Sequence, residues 1–186
     1  KCNETQTLLI FDEIQTCFGR LGTLFGFEKY DVRPDILCIA KGMGGGMPIG
    51  AFISSWQLMN LLTFDPKLGH ITTFGGHPIN CAASLATLEH LLSADIMQKV
   101  DEKEQLFRLH LKHPKIKEIR GNGLMLSIEF EDEELAKKVV KQSLENGLIL
   151  FYFLFTKTAI RITPPLTISN KEIIEGCNII KEILKT

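Results

Sequence analysis

Short, unbroken apolar runs mark the first third of the chain. Residues 7–11 and 35–40 are rich in Ile and Leu and are bounded by turn residues, and a third run covers residues 49–55. Runs of this length predict strands that are buried on both faces of a parallel sheet. Ligands bind beyond the carboxyl ends of such strands, so the residues that follow the runs are candidates for a functional site.

Helical periodicity begins at Pro78, which suits the first position of a helix because its missing N–H has no helical partner there. A second helical pattern covers residues 96–111 and ends at His113-Pro114, since the residue before a proline disfavours helical backbone. We expect this long helical stretch to link two domains. The apolar face predicted for the first helix consists of Ala82, Leu85, Leu88 and Leu92.

The last third of the chain alternates helices with short strands. Residues 116–130 predict extended chain broken by a Gly-Asn-Gly turn, and residues 133–145 predict a helix. The apolar run 148–155 predicts a buried strand, and residues 159–163 predict a shorter one. A capping box at residues 169–172 opens the final helix. The buried positions predicted for that helix are Ile173, Cys177, Ile180 and Leu184.

Composition changes near Ala94. Residues 1–94 hold 14 of the 43 charged residues and 11 of the 15 glycines. A glycine-rich segment with few charges is typical of sheet and loops around a site, whereas a highly charged segment is typical of surface helices and strands. We therefore predict a first domain over residues 1–94, a connecting helix over 95–112 and a small α/β domain over 113–186.

Charge and cysteine content argue against several classes of function. A net charge of −1 and a pI near 6.6 provide no electrostatic footprint for nucleic acid or an anionic membrane. No apolar run approaches the roughly 20 residues that span a bilayer. The five cysteines are widely spaced and odd in number, which predicts reduced thiols in a cytoplasmic protein. His110 and His113 have no third ligand nearby in the sequence, so we expect no metal site.

Two charged residues follow the first two apolar runs: Asp12 and Lys41, the second leading into a glycine-rich stretch. A lysine on an apolar strand is desolvated, which favours the free amine that attacks an aldehyde. A carboxylate beside a pyridine nitrogen keeps that nitrogen protonated, which makes the ring an electron sink. The pair is therefore consistent with a pyridoxal phosphate (PLP) enzyme. Each residue alone also has an ordinary interpretation, Asp12 as a turn or cap residue and Lys41 as a solvated loop lysine.

Three motifs favour the PLP enzyme over these ordinary interpretations. They are LLIFDEIQ at residues 8–15, DILCIAKGMGGGMPIG at 35–50 and HITTFGGHP at 70–78. In order and spacing they resemble class III PLP-dependent aminotransferases, the group that includes acetylornithine, ornithine and GABA aminotransferases. The likeness extends to Arg161. It implies the α/β fold of fold type I PLP-transferases, in which residues 1–94 form the C-terminal part of the PLP-binding large domain.

The resemblance implies a role for five residues. Asp12 is the partner of the pyridinium nitrogen, Gln15 lies near the ring hydroxyl, and Lys41 binds the cofactor covalently. Thr73 hydrogen-bonds the cofactor phosphate of a neighbouring subunit, which implies a homodimer. Arg161 receives a substrate carboxylate, to which a planar guanidinium is well matched. The implied reaction moves an amino group from an amino acid or amine donor to an oxo acid such as 2-oxoglutarate.

Other interpretations stay open. An arginine on a strand also fits a structural ion pair, and Cys17, Leu21 and His77 depart from the residues usual in the family. The glycine run does not match the Gly-x-Gly-x-x-Gly pattern of dinucleotide-binding domains. A PLP-dependent aminomutase would keep the same residues. Because the chain corresponds to about the second half of a family member, a truncated, non-catalytic fragment is a further alternative.

Overall fold

The computed structural model describes residues 1–185, which divide into two compact units. Unit 1 comprises Lys1–Gly19 and Thr23–Asp95, and unit 2 comprises Arg20–Gly22 and the chain from Ile96 onward. Residues 20–22 therefore belong to unit 2, although they come from the N-terminal part of the chain. No change in composition indicates this assignment. The domain roles implied by the resemblance stay a prediction.

Unit 1 is built on a three-stranded sheet with the order β1-β2-β3. The strands are β1 (Ile10–Asp12), β2 (Ile36–Ile39) and β3 (Ala51–Ser54). As the two apolar runs predict, β1 and β2 are parallel, and Asp12 lies opposite Cys38. β3 pairs antiparallel with β2, so the sheet is mixed and not wholly parallel.

The prediction that these strands are buried on both faces is wrong for the two outer strands. In β1, Ile10 is 56% exposed, and in β3, Ile53 is 50% exposed and Phe52 is also exposed. Only β2 has a strand on each side, and it buries Leu37 and Ile39. An apolar strand is buried only where another layer covers it, and residues 1–185 leave much of the outer strands uncovered.

The helices of unit 1 are α1 (Cys2–Thr5), α2 (Trp56–Leu61) and α3 (Pro78–Ser93). Pro78 lies in the first turn of α3, as predicted. The apolar face predicted for α3 is wrong, because Leu85 and Leu92 are exposed and the buried positions are Asn80 and Leu91. Periodicity therefore identifies the helix, while packing decides which of its sides is buried.

Unit 2 contains a four-stranded antiparallel sheet with the order β4-β5-β7-β6. Its strands are β4 (Glu118–Asn122), β5 (Met125–Glu129), β6 (Phe151–Tyr152) and β7 (Ala159–Ile162). Its helices are α4 (Val100–His110), α5 (Glu133–Glu145) and α6 (Asn170–Lys185). One core joins the sheet to the helices and buries Ile128, Val139, Ile160 and Cys177. Burial raises the pKa of the Cys177 thiol to about 12.

Helix α6 begins as its sequence predicts. The amide and hydroxyl of Ser169 donate to the Glu172 carboxylate at 2.8 and 2.7 Å, and the Glu172 amide donates to the Ser169 hydroxyl at 3.2 Å. This reciprocal capping box satisfies amides at the start of the helix, and the hydrogen bonds from Ser169 lower the pKa of Glu172. All four predicted core positions of α6 are buried.

Two further expectations for the C-terminal half need correction. The buried strand predicted over residues 148–155 is reduced to the two exposed residues of β6, and Leu154 and Phe155 are 91% and 97% exposed. β6 lies at an edge of the sheet, where only β7 is a neighbour. The predicted helical link is interrupted by a bend and turns at residues 94–99, and α4 belongs to the core of unit 2. By contrast, α5 has the predicted bounds.

The structure also bears on membranes, metals and disulfides. No helix within residues 1–185 is long and apolar enough to cross a membrane. In the same part of the chain, no group of three or more His, Cys, Asp or Glu side chains could hold a metal ion. All five cysteines are free thiols, and Cys17 and Cys177 are buried.

Candidate functional site

Asp12 is the last residue of β1, and its side chain is held by the turn that follows. The Ile14 amide donates to Oδ1 of Asp12 at 3.0 Å, while the Glu13 amide continues the ladder by donating to the Cys38 carbonyl at 2.9 Å. Such a hydrogen bond from the residue two positions onward is the usual way a strand-end aspartate is oriented. The residue is exposed, so its carboxylate can bind a ligand at the carboxyl edge of the sheet.

Glu13 has a structural role that the sequence reasoning missed. It is only 4% exposed, and its carboxylate accepts hydrogen bonds from the Gly26 amide at 2.5 Å, the Phe27 amide at 2.6 Å and the Thr16 hydroxyl at 2.9 Å. These bonds hold the loop that returns to β2. Because neighbouring residues of a strand point to opposite sides, the adjacent acids were a signal that one of them is inside. The Glu13 carboxylate is occupied by these donors, whereas the neighbouring Asp12 carboxylate is exposed.

Lys41 begins a turn of 3₁₀ helix, Lys41–Gly44, directly after β2. Its φ of 45° lies in the left-handed region, which side chains other than glycine seldom adopt. Backbone strain of this kind clusters at functional sites, where the surrounding structure maintains it. The side chain is exposed, so the desolvation expected for a lysine on an apolar strand is not present in this chain.

The glycines after Lys41 allow helix α3 to approach this turn. Gly45 has a φ of 57°, and a Cβ placed on it would overlap the Thr87 hydroxyl. The Asn80 side-chain amide donates to the Pro48 carbonyl at 2.6 Å and connects α3 to the same loop. Helix α3 therefore packs against the turn that contains Lys41, and this contact leaves no space for a side chain at Gly45.

Asp12 and Lys41 leave the sheet at the same edge, because β1 and β2 are parallel neighbours. Asp12 is opposite Cys38 in the register of the two strands, and Lys41 follows the end of β2 by two residues. Gln15 is exposed in the turn directly after Asp12, whereas Thr73 is exposed in the separate loop that precedes α3.

Cys17, one of the departures from the family pattern, is a packing residue. Its side chain is buried and its Sγ lies 3.9 Å from the Ala40 carbonyl. Burial raises the pKa of the thiol, and the nearby Glu13 carboxylate acts in the same direction. The thiol is therefore held in its protonated, unreactive form.

Arg161 lies in β7 of unit 2, in a row that runs across the whole sheet. It is opposite Ser127 of β5 on one side and Phe151 of β6 on the other, and Ser127 is in turn opposite Arg120 of β4. Directly opposed residues share a face of the sheet. The residues that flank Ser127 and Arg161 in the chain, such as Ile128 and Ile160, belong to the core, and successive residues of a strand point to opposite faces. The row therefore lies on the face turned away from the core.

The Arg161 guanidinium has aromatic neighbours but no anionic partner within residues 1–185. Its Cζ lies 5.8 Å from the ring centroids of both Phe151 and Phe153, a distance at which an arginine is stabilised by aromatic rings. Its Nε is buried and has no hydrogen-bond partner. It forms no ion pair with the acids of residues 1–185, whereas Arg120 is paired with Glu129. A cavity of about 290 Å³ adjoins Arg161.

The comparisons with known proteins concern nearly the whole chain. Residues 1–184 match the family model described as "Aminotransferase class-III". The chain belongs to the class-III aminotransferase family. It is 40% identical to an acetylornithine aminotransferase of Caldanaerobacter subterraneus over 98% of this chain and 46% of that protein. It is 39% identical to a putrescine aminotransferase of Pectobacterium atrosepticum over 99% of this chain and 41% of that protein.

Solved aminotransferase structures have the same fold. A Bacillus anthracis aminotransferase superposes with a TM-score of 0.88 at 30% identity, over 99% of this chain and 46% of that one. An ornithine aminotransferase from Toxoplasma gondii also gives a TM-score of 0.88, at 33% identity, over 99% and 45% of the respective chains. The resemblance and the fold class predicted from the sequence are confirmed. This class-III chain spans about half the length of the curated relatives it matches.

Residues 20–22 of this class-III chain are built into unit 2, which the sequence reasoning also missed. The Arg20 guanidinium donates to the Leu124 carbonyl at 3.1 Å and to the Pro164 carbonyl at 2.6 Å, and burial lowers the pKa of the guanidinium. The Leu124 amide donates back to the Arg20 carbonyl at 3.0 Å. Gly123 is required beside this contact, since a Cβ there would lie 2.7 Å from the Arg20 carbonyl oxygen.

Two charged residues of α4 hold the turn between β4 and β5. The Arg108 guanidinium donates to the carbonyls of Ile119 and Gly121, each at 2.8 Å. Nε of Arg108 also pairs with the Glu104 carboxylate at 2.8 Å, and the other oxygen of Glu104 accepts from the Gly123 amide. Gly121 is part of the wall of the cavity beside Arg161, so this network fixes one side of that cavity.

Proposed function

We propose that the complete protein transfers an amino group from an amino acid or amine donor to an oxo acid such as 2-oxoglutarate, with PLP as its cofactor. The observation that carries this proposal is the placement of Asp12 and Lys41 at one edge of the sheet, while the adjacent acid Glu13 is occupied by backbone amides. The names of the aminotransferase relatives support the same reaction class.

The donor set of unit 1 fits the ring end of the proposed cofactor. Asp12 presents an oriented, exposed carboxylate for the pyridine nitrogen, and Lys41 presents an amine that binds the cofactor covalently. Gln15, next to Asp12 in the chain, is proposed to contact the ring hydroxyl. Thr73 is proposed to donate to the phosphate of a neighbouring subunit, which makes the complete protein a homodimer. Residues 1–94 then belong to the PLP-binding domain and residues 113–186 to the small domain, joined by 95–112.

Each residue has a defined task in the proposed reaction. PLP, when bound, supplies an electron sink for the negative charge that develops at the amine-bearing carbon of the donor. Asp12 holds a proton on the ring nitrogen through its opposite charge. The incoming donor amine would displace Lys41 from its covalent bond and free its Nζ atom. Nζ would then remove the proton from the amine-bearing carbon, and would return a proton to the corresponding carbon of the oxo acid in the second half of the cycle.

Arg161 is proposed to receive a carboxylate of the substrate. Its guanidinium carries no ion pair within residues 1–185, its Nε has no partner, and it adjoins a cavity. A guanidinium binds a carboxylate through two parallel hydrogen bonds, so this pairing specifies both the charge and the direction of the substrate. The five free cysteines support a reducing, cytoplasmic location for the protein.

Replacing Arg161 by lysine in the complete protein is expected to lower kcat/KM for a carboxylate-bearing donor by about 10- to 100-fold, because lysine keeps the charge and loses the planar fork. The alkylamine of the same length should react almost as before. Steady-state kinetics with this substrate pair measures both values. Arg33→Lys is the matched control, since Arg33 is an exposed arginine of unit 1. Equal losses for both donors would identify Arg161 as structural.

The 186-residue chain by itself is expected to remain without PLP and without transaminase activity. Asp12 and Lys41 are exposed in it, Thr73 is the one phosphate donor assigned to this chain, and Ile10 and Ile53 expose apolar surface. Visible spectra with added PLP, before and after an amino donor, measure this directly, with the complete protein as the positive control. A cofactor band that bleaches on addition of the donor would show a competent fragment. Sedimentation velocity should show self-association of the chain and a dimer for the complete protein.

A further inference from the structure

Two buried polar atoms without partners meet on the outer face of the unit 2 sheet. Ser127 and Arg161 are directly opposite one another in β5 and β7, and both line the cavity of about 290 Å³. Oγ of Ser127 and Nε of Arg161 are both buried and have no hydrogen-bond partner. Buried polar groups are nearly always paired, so an orphaned pair in one cavity indicates a missing ligand.

We propose that Ser127 is a substrate-orienting residue whose hydroxyl donates a hydrogen bond to the same substrate carboxylate that Arg161 binds. The proposal rests on the role given to Arg161 above. A carboxylate has about four lone-pair sites on its two oxygens, so one oxygen can accept from the Ser127 hydroxyl while both oxygens accept from the guanidinium fork. The contact with Ser127 therefore adds a second donor, from β5, to the fork that Arg161 provides from β7.

The acids on this face are already engaged by other groups. The Glu129 carboxylate accepts from the Thr158 hydroxyl at 2.7 Å and from Arg120, and these interactions lower its pKa. Arg120 is further held by Glu118 at 3.5 Å. Glu118 and Glu129 are engaged by these other donors, and neither acid pairs with Ser127 or Arg161 within residues 1–185. The two unpartnered atoms are left for an anion that comes from outside the chain.

The apolar part of the cavity indicates what the carboxylate is attached to. Met125 and Phe153 line the cavity beside the two polar atoms, and the Phe153 ring faces the guanidinium. These two side chains suit the aliphatic chain of a substrate. The site therefore fits a carboxylate at the end of an aliphatic substrate, with selectivity against amines that lack the carboxylate.

Four variants of the complete protein test this proposal. Ser127→Ala removes the hydroxyl, and Ser127→Thr keeps it on a residue that strands accommodate well. Ser143→Ala is the matched control, because Ser143 also has a buried, unpartnered hydroxyl but lies in α5. Arg161→Gln reports on the function proposed for the arginine. The probe is glutarate, an aliphatic dicarboxylate without an amine, and its Kd is measured calorimetrically on protein freed of cofactor.

We expect Ser127→Ala to raise the Kd of glutarate about tenfold, because it removes one hydrogen bond to a charged group. Ser127→Thr and Ser143→Ala should bind glutarate as the unmodified protein does. In kinetics on the cofactor-loaded protein, Ser127→Ala should raise KM for a carboxylate-bearing donor more than it lowers kcat, and leave the matching alkylamine unaffected. A merely structural serine would change both donors alike.

Unchanged binding in Ser127→Ala together with weakened binding in Arg161→Gln would overturn the role of Ser127 and leave that of Arg161 standing. Unchanged binding in both variants, or no binding by the unmodified protein, would overturn both roles. Weakening by Ser143→Ala equal to that by Ser127→Ala would also overturn the proposal, because the effect would then follow from loss of any buried hydroxyl in unit 2.

Discussion

Replacing Lys41 by alanine is expected to lower kcat of the complete protein by about 10²- to 10⁴-fold, the usual contribution of a positioned acid–base group. The same variant should lose all cofactor that borohydride fixes to the protein, because no other amine takes the place of Lys41 at the carboxyl end of β2. Mass spectrometry of peptides after borohydride treatment locates the adduct, and stopped-flow kinetics measures the loss of turnover.

Lys67→Ala is the matched control for this substitution. Lys67 is an exposed lysine of unit 1 in the loop before α3, remote in sequence from the β2 turn. It should retain both the adduct and the turnover number. Finding the borohydride-fixed cofactor on Lys67, or on any lysine other than Lys41, would remove the basis of the proposed site.

Replacing Asp12 by asparagine should reduce kcat far more than it reduces cofactor affinity. The amide oxygen of asparagine can still accept the hydrogen bond from the Ile14 amide, so the turn keeps its geometry. What is lost is the negative charge that keeps the ring nitrogen protonated, and a shift of one pKa unit in that proton equilibrium corresponds to a factor of ten. Cofactor titration and single-turnover kinetics separate the two effects.

Asp35→Asn provides the comparison, because the Asp35 carboxylate also accepts a backbone amide, that of Leu9 at 2.7 Å, but lies at the opposite end of β2. It should leave kcat nearly unchanged. If Asp35→Asn and Asp12→Asn reduce kcat to the same degree, the charge of Asp12 has no special role and its proposed contact with the cofactor ring is wrong.

Features that depend on local sequence were predicted well. The bounds of α5, the capping box of Ser169 and Glu172, and the first turn of α3 at Pro78 all follow from interactions between residues a few positions apart. The parallel pairing of β1 and β2 was also predicted, because both runs are apolar and the connection between them is long enough for the crossover that parallel strands need. These features need no knowledge of what packs against them.

Burial was predicted less well, because it depends on what lies opposite. The run over residues 148–155 is as apolar as a core strand, yet it forms only the short edge strand β6, and Phe155 is left in solvent. Leu85 and Leu92 follow helical spacing on a side of α3 that residues 1–185 leave exposed. Hydrophobic periodicity specifies a face, and only tertiary packing specifies whether that face is covered.

The family and the residues that deserve a test could be read from the sequence, since Asp12 and Lys41 stand within motifs whose order and spacing are specific and the likeness extends to Arg161. The structural role of Glu13 became visible only in the folded chain, because the amides that occupy its carboxylate come from residues 26 and 27 of the returning loop. The tertiary structure alone brought Ser127 opposite Arg161, because strand register joins residues that are far apart in the chain.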